Sequence, residues 1–218
     1  KFPSKHDDVN VGAWEKVTHD LARLCSLDVP ESMLIDFSKY GSTFLVRRFD
    51  RNGAARIHFA SAMTMLGKTD GASATDGSSY LELVSFIKAS GAVPKRDLRE
   101  LWKRIVFNMA VSNTDDHMRN HGFILKADGW HLSPLYDVNP VPEGDELSLY
   151  VNEDDATISL ELALEIAPYC EISTRDAAAM AADILKTVRE NWSHLASECG
   201  LSRNAQEYMR PAFSLALE

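Results

Sequence analysis

Apolar residues at Trp14, Val17, Leu21, Leu24 and Cys25 recur every three to four positions, so residues 12–25 read as an amphipathic helix. Two runs of β-favouring residues follow, MLIDF at 33–37 and TFLVRRF at 43–49, and the Lys-Tyr-Gly-Ser between them predicts a hairpin. A short helix is expected over 59–66. Residues 68–79, KTDGASATDGSS, have no apolar period and are rich in Gly, Ser, Thr and Asp, the composition of a mobile loop. Helical faces return at 80–90 and 95–112, the second through Leu98, Leu101, Trp102, Ile105, Val106 and Met109. GFILKADGWHLSPLYD then gives two short apolar runs joined by Ala-Asp-Gly, a hairpin that Pro134 stops. Helices are expected at 160–169 and 174–199, the latter capped by Ser173 or Thr174 and stopped by Gly200, with a last helix after Ser202.

Mixed α and β near the start, then a helix-rich remainder broken by one hairpin, predict an α+β fold of two lobes. The expected boundaries are a partial small lobe over 1–58 and a larger, mainly helical lobe over 59–218, with a catalytic hairpin segment at 113–137. A net charge of −9 argues against non-specific nucleic-acid binding, which draws on phosphate neutralisation. No apolar run approaches the ~18 residues a membrane helix needs. Cys25, Cys170 and Cys199 lack metal-ligand spacing and read as buried free thiols of a reducing cytoplasm. KFPS has no initiator methionine and no signal-peptide pattern, so the chain reads as cut from a longer one.

The chemistry concentrates in SNTDDHMRN, residues 112–120. In phosphoryl transfer one Asp orients and deprotonates the acceptor hydroxyl, while an Asn and a second Asp hold the magnesium that neutralises the ATP phosphates. Asp115 and Asn120 have the five-residue offset of that arrangement, and the hairpin returns Asp137 to the loop. Oxygen ligands suit Mg²⁺. The plain alternative is a polar turn whose side chains bond nearby backbone. A rival chemistry is a metal-dependent hydrolase built on Asp115, Asp116, His117, Asn120, His121 and Asp137. His117 and His121 are spaced i,i+4, but in a segment that reads as loop. A non-catalytic binding module and a lipid or small-molecule kinase are further alternatives.

The segment NTDDHMRNHGFIL followed by W-x-LSP-x-YD resembles the HipA-like toxin kinases, as do KFPS, FLVRRFDR and RIHF upstream. The resemblance covers nearly the whole chain and implies a two-lobed protein-kinase-like fold, with ATP and Mg²⁺ as cofactors. It implies a serine/threonine protein kinase of a bacterial toxin–antitoxin system, cytoplasmic, with a protein substrate such as an aminoacyl-tRNA synthetase and an antitoxin partner. No direct nucleic-acid or membrane contact is expected.

By that resemblance Asp115 is the catalytic Asp, Asn120 and Asp137 are the magnesium ligands, and Lys1 reaches the ATP phosphates. Val46 to Phe49 corresponds to the linker whose backbone faces adenine, which makes Arg47 and Phe49 ATP-binding positions. Glu15 is a supporting candidate as the helical partner of Lys1, against the alternative of an exposed helix-face Glu. His117 is expected to brace the loop by bonding a carboxylate or carbonyl. Asp116 reads as a solvated turn carboxylate, His121 as structural and Arg119 as a surface residue. Three departures stand out. The family's phosphate-covering loop lies before the lysine, Arg47 replaces a Glu common in the linker, and 68–79 lacks the usual Gly-Gly-Pro element.

Overall fold

Asn10 opens the first helix of the computed structural model, which describes residues 1–218, by accepting a hydrogen bond from the Ala13 N–H. Helix α1 (Val11–Leu24) buries Trp14, Val17 and Leu21, as the spacing predicts. Strands β1 (Ser32–Ser38) and β2 (Gly41–Val46) form the expected hairpin, with Leu34 opposite Phe44. The second strand ends at Val46, so Arg47, Arg48 and Phe49 lie in the connection beyond it. Main-chain bonds run both ways between Lys1 and Phe44, which puts Lys1 along β2.

Helix α1 sits directly on β2. A Cβ at Gly12 would come within 2.2 Å of the Ser42 carbonyl oxygen, and Asn10 accepts from the Ser42 N–H while donating to its hydroxyl. This close seat fixes how far Glu15, one turn along the helix, stands from Lys1 on the strand side.

A minimal hairpin, β3 (Arg51–Asn52) and β4 (Ala55–Arg56), leads into β5 (Phe59–Ser61) and α2 (Ala62–Met65). The helix expected over 59–66 therefore starts three residues late. Short apolar runs are ambiguous between helix and strand, and here the pairing of Ala60 with Phe123 decides for strand. Residues 68–79 also differ from a mobile loop. They contain a single 3-10 turn with a reciprocal Ser73–Asp76 cap. Backbone bonds from Ala74 to Ser148 and from Tyr80 to Tyr150 anchor them.

Helices α3 (Tyr80–Ser90) and α4 (Pro94–Ala110) carry the predicted apolar faces. Strands β6 (Gly122–Lys126) and β7 (Gly129–Leu132) pair antiparallel and take β5 as a third strand on the far side of β6. Helices α5 (Leu160–Ile166), α6 (Thr174–Glu198), α7 (Arg203–Met209) and α8 (Ser214–Leu217) complete the chain. Ser173 caps α6 and Gly200 follows it at positive φ, as read from the sequence. The result is an α+β fold with small antiparallel sheets. Its apolar core is continuous, and α1 joins it by packing on α6, with Trp14 and Trp192 both meeting Phe213.

The core helix α4 holds the returning end of the hairpin at two points. Asp97 accepts from the Leu132 N–H at 2.9 Å, and buried Arg104 donates to the Ser133 carbonyl at 2.8 Å. Further on, the Leu135 N–H bonds to the Asp28 carbonyl, and the Thr18 hydroxyl of α1 donates to the Val138 carbonyl. Asp137 is thus bracketed by anchored neighbours.

Gly12→Ala should destabilise the protein by about 1–3 kcal/mol in urea denaturation, the cost of overpacking against backbone that cannot step aside. Stability equal to the parent's would show that α1 is not seated on β2 as described.

Candidate active site

Helix α4 ends at Ala110, and Ser112 turns the chain at φ 45° into the loop 112–120. Asn113 then donates to the Asn108 side chain at 3.2 Å, tying the loop back to the helix. The decisive anchor is Asp116. Its Oδ2 accepts from the Tyr80 hydroxyl (2.6 Å), the Asn108 amide (2.7 Å) and His121 Nε2 (2.8 Å), so the starts of α3 and β6 and the end of α4 meet on one carboxylate. Asp116 and His121 are fully buried. The solvated turn carboxylate expected at 116 is therefore corrected, because three donors from separate elements replace its water. Burial alone would raise the Asp116 pKa, but His121 and the hydrogen bonds outweigh it and hold it below the ordinary value. Burial and the adjacent Asp116 charge push the Tyr80 hydroxyl well up.

With Asp116 held inward, Asp115 faces out, and its side chain is 77% exposed. Asn120 is buried and its amide donates to two carbonyls, Asp115 at 3.1 Å and Asp137 at 3.4 Å. This carboxamide links the loop to the return of the hairpin, and no protein donor reaches its Oδ1. Asp137 adopts a left-handed backbone (φ 56°), which Asp tolerates better than most residues, and its carboxylate is half exposed.

Lys1 Nζ gathers the remaining groups. It lies 3.0 Å from Glu15 Oε2, 3.3 Å from Asp137 Oδ1 and 3.2 Å from Asn139 Oδ1. The Glu15 contact is an ion pair by distance without an aligned hydrogen bond. Burial works against the Lys1 charge, but the two carboxylates outweigh it and raise its pKa. The Glu15 pKa is also raised, since burial costs its charge more than Lys1 returns. The pair is asymmetric for a physical reason: the half-exposed ammonium sees two anions, whereas the carboxylate is the more deeply buried partner and is repelled by Asp137. Glu15 is thus buried against Lys1, not an exposed helix-face residue.

An apolar pocket opens beside these groups, lined by Ala22, Val29, Phe44, Val46, Leu135 and Val138, with Glu15 and Asp137 among its other walls. Val46 of the expected linker lines it, but the Arg47 and Phe49 side chains do not. Arg47 makes an exposed ion pair with Glu31 at 3.0 Å, and the Phe49 ring packs on Phe59 and Tyr136. His117 accepts a hydrogen bond at Nε2 from Arg119 (2.7 Å), so its partner is a guanidinium and not the expected carboxylate or carbonyl. His117 and His121 do not converge as a ligand pair, because His121 is committed to Asp116.

Sequence reasoning missed Asn139, which bonds Lys1, donates to Asp137 at 3.1 Å and is itself held through its N–H by Asn113. No local signal marked it, since Asp137 is left-handed and the Asp137-Val138-Asn139 alternation does not run along an extended strand. The oxygen donors left available, Asn120 Oδ1 and Asp137 Oδ2, fit a hard cation such as Mg²⁺ that keeps waters and substrate phosphate as its other ligands.

Asp116→Asn should cost about 3–5 kcal/mol at neutral pH, since it leaves buried donors badly matched. A depressed folded-state pKa gives stability that is present above the unfolded value, about 3.9, and lost as pH falls through the folded value. The gap between parent and variant should therefore narrow on acidification in denaturant titrations. A gap that is constant with pH would contradict the charged state assigned to Asp116.

Comparison with known proteins gives concordant results. The family of HipA-like C-terminal domains matches residues 1–192. A Haemophilus influenzae protein named "Putative kinase" is 29% identical over 155 residues, covering 65% of this chain and 45% of that protein. The chain thus spans about half the length of the curated relatives it matches. Among solved structures, the complex of HipA, HipB and operator DNA from Shewanella oneidensis MR-1 matches with a TM-score of 0.78 at 17% identity, covering 96% of this chain and 56% of that one. The Helicobacter pylori proinflammatory kinase CtkA matches with a TM-score of 0.56 at 13% identity, covering 96% and 88%. At such identities the two structures speak to fold alone, whereas the family match extends over most of the sequence: this chain belongs to the HipA-like C-terminal domain family.

Proposed function

We propose that the chain is the catalytic portion of an ATP-dependent protein kinase of the HipA type, which transfers the γ-phosphoryl group to a serine or threonine hydroxyl. The observation that carries this reading is the convergence of Lys1, Glu15, Asn120 and Asp137 beside an apolar pocket that Glu15 and Asp137 line, with Asp115 exposed on the adjoining loop.

Apolar walls of this kind match the faces of a purine, which would enter as those walls part. Arg47 and Phe49 enter the reading through the linker backbone and not their side chains, with Val46 of that linker on the pocket wall. Lys1 would hold phosphate oxygens, oriented by Glu15 and Asn139. Asn120 Oδ1 and Asp137 would hold Mg²⁺, which when bound neutralises phosphate charge. Asp115 accepts the proton of the acceptor hydroxyl as its oxygen bonds to the γ-phosphorus and the bond to the ADP oxygen breaks. The hydrolase alternative has no matching ligand set, since no three His, Cys, Asp or Glu residues converge on a metal position.

A protein substrate, by the resemblance an aminoacyl-tRNA synthetase, belongs to this reading, as does a bacterial cytoplasmic setting. An antitoxin partner also belongs to it, supported by the HipB present in the Shewanella complex. That complex also contains operator DNA, so a net charge of −9 is no argument against nucleic acid in an assembly. No helix is long and apolar enough to cross a membrane.

Mg-ATP should raise the melting temperature by mass action, and Asp137→Asn should abolish the magnesium-dependent part of the shift. An unchanged shift in the variant would remove Asp137 from the metal site. In the full-length protein, Asp115→Asn should leave Mg-ATP binding intact and cut label transfer from radiolabelled ATP by about a hundredfold. Transfer equal to the parent's would sink the catalytic assignment.

A further inference from the structure

Arg119 lies between the phosphoryl-transfer loop and the segment 68–79. One end of its guanidinium pairs with Asp70, and the other donates from Nη2 to Nε2 of His117 at 2.7 Å. Its main chain is fixed as well, because the Tyr136 hydroxyl donates to the Arg119 carbonyl at 2.7 Å. His117 Nε2 is in turn 4.0 Å from Asp115 Oδ1.

These contacts determine where the His117 proton sits. Arginine offers only donors, so the nitrogen facing it must be an acceptor, and a neutral His117 carries its proton on Nδ1. At the other end of the ring Nδ1 is buried without a protein partner, so this tautomer carries an unmatched donor and Arg119 alone imposes it. Without Arg119, the proton would favour Nε2, where a small rotation lets it donate to Asp115. That bond would occupy the carboxylate that the acceptor hydroxyl needs. The charged groups facing this imidazole are Asp115, Asp116 and Arg119 from its own loop, and Asp70 acting through Arg119 from the segment 68–79.

We propose that Arg119 is a positioning residue, clamped between Asp70 and His117, which keeps the His117 proton off Nε2 so that Asp115 stays free for the acceptor. The segment 68–79 is then coupled to phosphoryl transfer, since whatever draws Asp70 away loosens the clamp. This rests on the kinase reading above. A guanidinium suits the role because its rigid planar fork holds both partners in fixed directions, whereas the donors of an ammonium rotate.

The test pairs kinetics with imidazole ¹⁵N NMR on the full-length protein. At alkaline pH the parent should show His117 protonated at Nδ1, and Arg119→Ala should move the proton to Nε2. Transfer from ATP should fall about tenfold in Arg119→Ala, the rate equivalent of one hydrogen bond, with KM for Mg-ATP unchanged. Asp70→Asn should lower transfer about threefold, the scale of an exposed ion pair. The double variant should be no slower than Arg119→Ala alone, because both changes act through one contact. A parent protonated at Nε2, an unchanged tautomer in Arg119→Ala, additive losses in the double variant, or equal transfer by parent and Arg119→Ala would each overturn the proposal while leaving the kinase reading in place. A parent that transfers no label would sink the kinase reading itself, and the catalytic consequence of the clamp with it.

Discussion

Everything in the site depends on the burial of one carboxylate. Asp116 is out of water, and an unpaired charge there would be costly, so three donors from three elements must reach it together. That requirement fixes the loop between α4 and β6. With neighbouring side chains directed apart, the inward commitment of Asp116 turns Asp115 outward, and it sets Asn120 where its amide spans the carbonyls of Asp115 and Asp137. The exposed residue proposed for chemistry is thus placed by the buried residue beside it. A packed core beneath the loop, through Trp102, Ile105 and Met109 of α4, keeps this frame rigid.

The electrostatics above that frame are unbalanced. Lys1 is a single ammonium facing Glu15 and Asp137, and the burial of Glu15 keeps the pair from being equally favourable to both partners. Such an arrangement accepts further positive charge readily. A divalent cation beside Asp137 would relieve the repulsion between the two carboxylates, and anionic phosphates would then find Lys1 and the cation together. Charge complementarity of this kind needs both ligands at once, which is what a magnesium–nucleotide complex supplies.

Much of this was legible in the sequence. The helical spacing of Trp14, Val17 and Leu21, the caps at Ser173 and Gly200, and the Ala-Asp-Gly turn all act locally, and each element forms where its residues predict. The motif residues Lys1, Glu15, Asn120 and Asp137 do come together, through the seat of α1 on β2 and the anchored hairpin return. Local signals failed where partners come from far along the chain. Residues 59–61 became a strand because β6 is beside them, and Asp116 reads as a turn residue until Tyr80, Asn108 and His121 are folded around it. The order in 68–79 likewise depends on Ser148 and Tyr150, which lie some seventy positions away. The linker side chains of Arg47 and Phe49 turned out to serve Glu31 and an aromatic cluster, which spacing does not reveal.

The central claim is that Asn120 and Asp137 form a cation site which works with Lys1 on a nucleotide. A crystal structure of the full-length protein with a non-hydrolysable ATP analogue and Mn²⁺ in place of Mg²⁺ tests it most directly, since anomalous scattering locates the metal independently of any assumed pose. The account predicts a single anomalous peak at about 2.0–2.3 Å from Asn120 Oδ1 and an Asp137 carboxylate oxygen, close to the octahedral oxygen distances of such cations, with a phosphate oxygen between the metal and Lys1 and the base in the pocket lined by Val46 and Leu135. A metal held by histidine nitrogen, or a nucleotide bound elsewhere on the molecule, would contradict it.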